Sequence, residues 1–267
     1  MDAATARFHE LHASGCFVMP NAWDVGSARM LAGLGFPAVA TTSSGFAWAR
    51  GRADNRVPLD EVLAHMADIA SGAGVPVNAD FEGGFAVEPE GVGANVALAV
   101  STGVAGLSIE DSTGDPDHPL FDFDLAVARI RAAREAIDSS GTGVLLTGRS
   151  EGFICGRPDL PETLRRLAAY AEAGADCLYA PGIRTESEIA AVVAAGPRPV
   201  NVLAMGNAHT VAGLAALGVR RISVGGALAR AGWTGVLAAA REIATAGTFD
   251  ALALAVPGSE LNRLFED

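Results

Sequence analysis

Lysine is absent from this sequence: all 19 of its Lys and Arg positions are arginine. That absence excludes Schiff-base aldolases, pyridoxal-phosphate enzymes and Walker-type NTPases, each of which needs a lysine amine for its chemistry. A basic surface is missing as well. With a net charge of −12 and a pI near 4.8, the chain has no stripe of cations to release counterions from a nucleic acid, and no polybasic patch for a membrane. Its apolar runs are interrupted by Gly, Pro or charge well short of the roughly 18–20 residues a span requires. The opening "MDAATARFHELHASG" has acids and no continuous apolar segment of a secretory leader. Cysteine is scarce: Cys16, Cys155 and Cys177 form no C-x-x-C pair and no disulfide framework, and read as free thiols of a cytoplasmic protein. The five histidines, His118 among them, show no metal-ligand spacing.

What the sequence does have is alternation. Half of its 267 residues are apolar, enough to bury a large core. Short apolar runs at 16–20, 38–42, 75–79, 106–110, 144–148, 177–180, 199–204 and 221–225 read as strands. Amphipathic segments such as 124–138, 160–175 and 186–196 read as the helices between them, with Gly in "AEAGAD" and "ALGVRR" placed to end a helix before the next strand. Continuous apolar strands separated by helices predict a parallel sheet covered by helices. Eight such units fit a closed (β/α)₈ TIM barrel, an α/β fold, better than an open sheet. "FVMPNAWDVGS" lacks the glycine fingerprint that a dinucleotide fold needs after its first strand. The expected organisation is one domain over 1–267, with 232–267 as a C-terminal helical extension.

Active sites of such barrels lie at the C-terminal strand ends, and polar residues gather there: Asn21 to Asp24, Ser43 to Gly45, Asn78, Asp80 and Glu82, Glu110 and Asp111, Arg149 and Glu151. Asp80 and Glu110 on neighbouring strands, with Asn78 and Asp54 near, form an oxygen-only set suited to Mg²⁺ or Mn²⁺. Arg149, in "TGRSEGF", offers a planar fork for a carboxylate or phosphonate. Ser43, Ser44 and Gly45 in "TTSSGF" offer hydroxyls and backbone N–H groups as an anion nest, and Asn201 joins them as a substrate-binding candidate. Metal, arginine and nest together suit a small dianion with a neighbouring oxygen, whose enolate a metal would stabilise as an adjacent bond breaks.

These motifs resemble the isocitrate lyase/phosphoenolpyruvate mutase superfamily. The resemblance runs through "MPNAWDVGSARMLAGLGFPAVATTSSGFAWARGRAD", "VNADFEGGF", "GLSIEDS", "TGRSEGF" and "AYAEAGADCLYAPGI". It implies a (β/α)₈ barrel, Mg²⁺ at the acidic motifs, homotetramers (dimers of dimers) with exchanged C-terminal helices, and small 2-oxo or 2-hydroxy acid ligands. It also implies a carboxylate contact at Ser43 to Gly45, metal roles for Asn78, Asp80 and Glu110, an outer aspartate at Asp54, and a catalytic Arg149. Four departures stand out. Asn78 replaces an aspartate that usually ligates the metal. "DSTGDPDHPLFDF" replaces the lyases' Lys-Lys-Cys-Gly-His loop, "YAPGI" lacks their sixth-strand glutamate, and "GRSEGF" is closer to the phosphonate branch, whose longer gating loop is missing too. The expected reaction is carbon–carbon cleavage of a small dicarboxylic acid by a lyase or hydrolase. A phosphorus–carbon mutase or hydrolase, or a 2-oxo-acid binder with little activity, are the alternatives. In the replaced loop, His118 is the one side chain whose ordinary pKa lies near neutrality, which makes it the candidate general acid.

Overall fold

The first expected strand, 16–20, is divided. In the computed structural model, which describes residues 1–266, β1 (Phe17–Val18) and β2 (Asn21–Ala22) flank Met19 and Pro20. Pro20 has no N–H to give a ladder, and the chain changes neighbours there. Met19 N–H still reaches Ile222 O at 2.7 Å, while Pro20 O accepts from Ala40 N–H at 2.9 Å. β1 pairs with β9 (Arg221–Ser223) and β2 with β3 (Val39–Thr41), both in parallel. The two ends of the sheet are therefore successive pieces of one segment, and the sheet closes into a barrel. Between them run β4 (Val77–Asp80), β5 (Gly106–Glu110), β6 (Leu145–Arg149), β7 (Cys177–Tyr179) and β8 (Val200–Leu203), each parallel to its neighbours. The expected α/β barrel is present.

The expected helices are recovered with shifted ends: α6 (Phe123–Ser140), α7 (Leu160–Glu172) and α8 (Glu186–Ala194). Local chemistry sets these limits. α7 starts where Asp159 accepts from Glu162 N–H with Pro161 in the first turn, and it buries Thr163, Arg166, Leu167 and Tyr170 along one face. Further helices are α1 (Ala3–Ala13), α2 (Val25–Gly33), α3 (Ser43–Ala49), α4 (Leu59–Gly72), α5 (Pro89–Val100) and α9 (Val211–Ala216). The expected extension from 232 begins inside α10 (Ala227–Ala246) and ends with α11 (Gly258–Phe265), which packs on α2 and sets Phe265 under Arg29. Asp267, the last residue of that expected extension, lies outside the described residues. α10 exposes Trp233, Val236, Leu237 and Ile243. Among the described residues no helix is long and apolar enough to cross a membrane.

Two cores result. The larger lies between strands and helices. The smaller fills the lower end of the barrel, where Phe8 of α1 meets Phe17, Met19, Ala38, Ala40, Ala105 and Leu145. His12, one helical turn after Phe8, is sealed there with its ring edge-on to Phe8 and Phe17. Nδ1 bonds Phe8 O at 2.8 Å, which makes Nδ1 the protonated nitrogen, and Nε2 faces Arg221. Burial, and then the Arg221 charge, push this imidazole down from 6.5 to about 3.

A lowered histidine gives a pH signature. Below about 6.5 the unfolded chain takes up a proton that folded His12 refuses until about pH 3, so stability falls as pH drops through that window. The slope is about 1.4 kcal/mol per pH unit for a single such site. His65, pushed down to about 4 chiefly by burial, adds to it. His12→Gln keeps an acceptor for Arg221 and cannot be protonated. Urea unfolding at pH 7 and pH 5 is expected to show a shallower acid-side loss in this variant, and an unchanged slope would mean that folded His12 is charged.

Candidate functional site

The upper end of the barrel opens into a cavity of about 360 Å³. Strand alternation decides which side chains reach it. Asn78 and Asp80 on β4, and Ser108 and Glu110 on β5, line the cavity, while Ala79 and Ile109 between them pack into the outer core. Asp111, next to Glu110, points the other way and is 2 % exposed. It accepts from Tyr170 Oη at 2.6 Å, Arg166 Nη1 at 3.2 Å and Glu151 N–H at 2.7 Å. Glu151 is thereby fixed at the cavity wall by a network rooted in α7.

Arg149, at the end of β6, is the hub. Its Nη1 lies 3.1 Å from Asp80 Oδ1 and 3.2 Å from Glu110 Oε2, and its Nε lies 2.5 Å from Glu151 Oε1. Its guanidinium also lies over the Tyr179 ring at 5.3 Å. Asp80 is held independently: its N–H donates to Thr41 Oγ1 at 2.8 Å, and its Oδ2 accepts from Ser43 N–H at 3.0 Å. The charges around the hub do not balance. Burial, against the pull of Arg149, drives Glu110 well above the ordinary carboxylate range, and burial raises Glu151 too. Glu82 is pushed up to about 8 by burial and then by Asp80 and Asp54, and Asp54 is raised by burial and by Asp80.

This surplus of acid fits a hard divalent cation. Asp80 and Glu110, which meet at one arginine nitrogen, are the pair that would hold it, with water completing its shell. As they stand, no group of three His, Cys, Asp or Glu side chains among the described residues is gathered as a chelate. Asn78 is committed elsewhere: its Nδ2 donates to Ala79 O at 3.2 Å, and its Oδ1 lies 3.4 Å from Arg221 Nη1. Asp54 lines the cavity from the loop after α3 and accepts from Asn55 N–H.

Ser43 and Ser44 line the cavity, and so does Asn201, whose Nδ2 donates to Ser223 Oγ at 2.9 Å. The expected nest is already in use, because Ser43 N–H serves Asp80 and Gly45 N–H caps α3 on Thr42 Oγ1 at 3.3 Å. Gly45 lies beneath the cavity wall. A Cβ there would meet Thr42 Cγ2 at 2.6 Å and Trp23 Cβ at 3.1 Å, so close packing accounts for the glycine.

His118 is not brought to the cavity. The Ser112–Leu120 bridge and the Thr113 N–H to Pro119 O bond fold the loop into a tight turn that carries the ring outward. Its side chain is 86% exposed, 3.6 Å from Asp115. Among the cavity residues that escaped the sequence reading are Cys155, Tyr179 and Arg221. Cys155 lies one turn beyond Glu151, with Cys155 N–H on Glu151 O at 2.9 Å and Sγ 3.7 Å from Ser112 Oγ. Burial raises its thiol, which keeps it protonated. The spacing Glu-x-x-x-Cys was visible in the sequence, but nothing there told that the segment folds as a turn.

The phosphoenolpyruvate phosphomutase family profile matches residues 8–244. The chain belongs to this family. A Burkholderia cenocepacia structure provisionally classed as a lyase or mutase is 47% identical, with a TM-score of 0.95 over 98% of this chain and 96% of that one. Oxaloacetate decarboxylase of Rhodopseudomonas palustris is 30% identical over 202 residues, covering 71% of this chain and 66% of the relative. A phosphonopyruvate hydrolase solved with oxalate and Mg²⁺ is 25% identical, with a TM-score of 0.85 over 99% of this chain and 95% of that one. The relatives thus include a decarboxylase and a hydrolase, and the expected membership in the superfamily holds.

Removing the hub tests the charge arrangement. Arg149→Met leaves three carboxylates, one buried and two largely so, without their cation and is expected to lower stability by about 3 kcal/mol at pH 8. The loss should shrink toward pH 6, because carboxyls raised in the folded state destabilise it more as pH climbs. Urea titrations at the two pH values measure this, and a loss independent of pH would contradict the charge account.

Proposed function

We propose that the chain is a Mg²⁺-dependent (or Mn²⁺-dependent) lyase or hydrolase that breaks a carbon–carbon bond beside the 2-oxygen of a small 2-oxo or 2-hydroxy dicarboxylic acid. The observation that carries this reading is the excess of buried carboxyls over cations at Arg149, facing a small cavity lined by hydroxyls and amides. The similarity to an oxaloacetate decarboxylase supports carbon–carbon cleavage, and the similarity to a phosphonopyruvate hydrolase makes the phosphorus–carbon bond the second reading. When bound at Asp80 and Glu110, the metal supplies Lewis-acid stabilisation of negative charge that develops on the 2-oxygen.

The chain's own residues do the rest. Arg149 holds Asp80, Glu110 and Glu151 in one arrangement, and its planar fork would also suit a ligand carboxylate. Ser43, Ser44 and Asn201, which line the same cavity, would orient that ligand. A proton must reach the enolate carbon. Cys155 at the cavity wall carries one in its neutral thiol beside the Ser112 hydroxyl, whereas His118 faces solvent. The exposed Trp233, Val236, Leu237 and Ile243 of α10 support the proposal that a second copy of the chain covers this face, as a homotetramer would.

Incubation with Mg²⁺ and oxaloacetate, 2-methylisocitrate, dimethylmalate or phosphonopyruvate, with product analysis, tests the reaction. Phosphate release from phosphonopyruvate alone would select the second reading. No turnover on any of the four would leave a binder. On an active substrate, Cys155→Ala is expected to lower kcat by about 10²–10⁴ and His118→Asn to leave it unchanged. The reverse result would return the proton donor to the loop. By calorimetry, Asp80→Ala is expected to abolish Mg²⁺ binding and Asn78→Ala to spare it.

A further inference from the structure

A buried guanidinium ordinarily meets a carboxylate, because its charge is costly to remove from water without an opposite one. Arg149 contacts three acids, Arg166 contacts Asp111 and Glu162, and Arg134 contacts Asp138 and Asp176. Arg129 spreads its charge over the carbonyls of Gly83, Ala86 and Val87 and stacks on Phe121. Arg221 has neither arrangement. It is 2 % exposed, and its hydrogen-bond partners among the described residues are all neutral. Nε donates to Asn201 Oδ1 at 2.9 Å and Nη2 to Thr147 Oγ1 at 3.0 Å, while Nη1 lies 3.3 Å from His12 Nε2 and 3.4 Å from Asn78 Oδ1. His12 presents its unprotonated nitrogen, so it cancels none of the charge.

Arg221 also lines the cavity. It sits at the level of Asn78, and Asp80 lies two residues further along the same strand, about 6.6 Å higher. The cavity thus has two guanidiniums at different depths. The upper one is surrounded by acids, and the lower one has none in contact among the described residues. Asn78, Thr147 and Asn201 contact the lower one, and Asn78, Asn201 and Ser223 line the cavity with amides and a hydroxyl, a setting that can hydrogen-bond an anion without repelling it.

We propose that Arg221 is a specificity-determining residue that draws the distal carboxylate of a dicarboxylic ligand to the cavity floor. This rests on the reading of the site as one for small 2-oxo acids. The ligand end near Asp80 and Glu110 is the reacting end, and Arg221 selects ligands that carry a second charge at the other. The competing role, a structural counter-charge for the acids one level up, would make Arg221 matter for stability and not for ligand choice.

Calorimetry in Mg²⁺ with three probes separates these. Oxalate reports the reacting end alone. 3,3-Difluorooxaloacetate adds a distal carboxylate, and 3,3-difluoro-2-oxobutanoate replaces that carboxylate with methyl. Wild type is expected to bind the diacid about tenfold or more tighter than the methyl analogue. Arg221→Met should abolish that preference while leaving oxalate affinity near wild type. Arg221→Gln, whose amide can still donate to Asn201 from about the position of Nε, gives the same comparison where Met impairs folding. Equal binding of the two fluorinated probes by wild type would overturn the assignment, as would an undiminished preference in the variants. Wild type that binds no oxalate would overturn the 2-oxo-acid reading itself, and this assignment with it.

Discussion

The Arg149 guanidinium sets the terms for everything at the mouth of the barrel. Asp80 from β4, Glu110 from β5 and Glu151 from the loop after β6 all end on it, so one cation joins three consecutive units of the fold. Its planarity matters as much as its charge: Nε and Nη1 point along different directions and can serve acids on two sides. A lysine would offer a single point and could not hold the same set. In a chain without lysine, every fixed cation has this forked geometry, and the site is built around that geometry.

Around this hub the fold supplies rigidity from behind. Asp111, Arg166 and Tyr170 form a buried network that reaches Glu151 through its backbone N–H. Thr41 and Ser43 fix Asp80 from the side. Cavity-facing residues therefore sit on strand ends whose positions are set by bonds outside the cavity, as precise chemistry requires.

Much of this was legible in the residues. The order of apolar runs and amphipathic helices carried the barrel, because burial on both faces leaves its mark on composition. Strand ends were legible too, since Asp80, Glu110 and Arg149 interrupt apolar runs where no structural need explains them. Other features depend on tertiary neighbours. Pro20 marks a break, but only the pairing of β1 with β9 and β2 with β3 shows that the break joins the two ends of the sheet. His118 and Cys155 could not be ranked from sequence, because the direction of a loop side chain depends on how the loop turns. Arg221 was hidden for a related reason: "RISVG" reads as an ordinary strand with a polar first residue, and its lack of an acidic partner among the described residues appears only when β4, β6, β8 and α1 are assembled around it.

The seam that closes the barrel also bears on how the chain reaches its native state. Phe17 pairs with Arg221, so the first strand and the last must find each other across almost the entire length of the fold. Such distant contacts form late, after the intervening units have lost their freedom. During synthesis, the early β/α units must wait with one sheet edge unprotected until β9 emerges. His12, Phe8 and the charge of Arg221 come together only at that last step. Completion of the floor of the cavity and closure of the barrel are then one event, and a truncated chain would lack both.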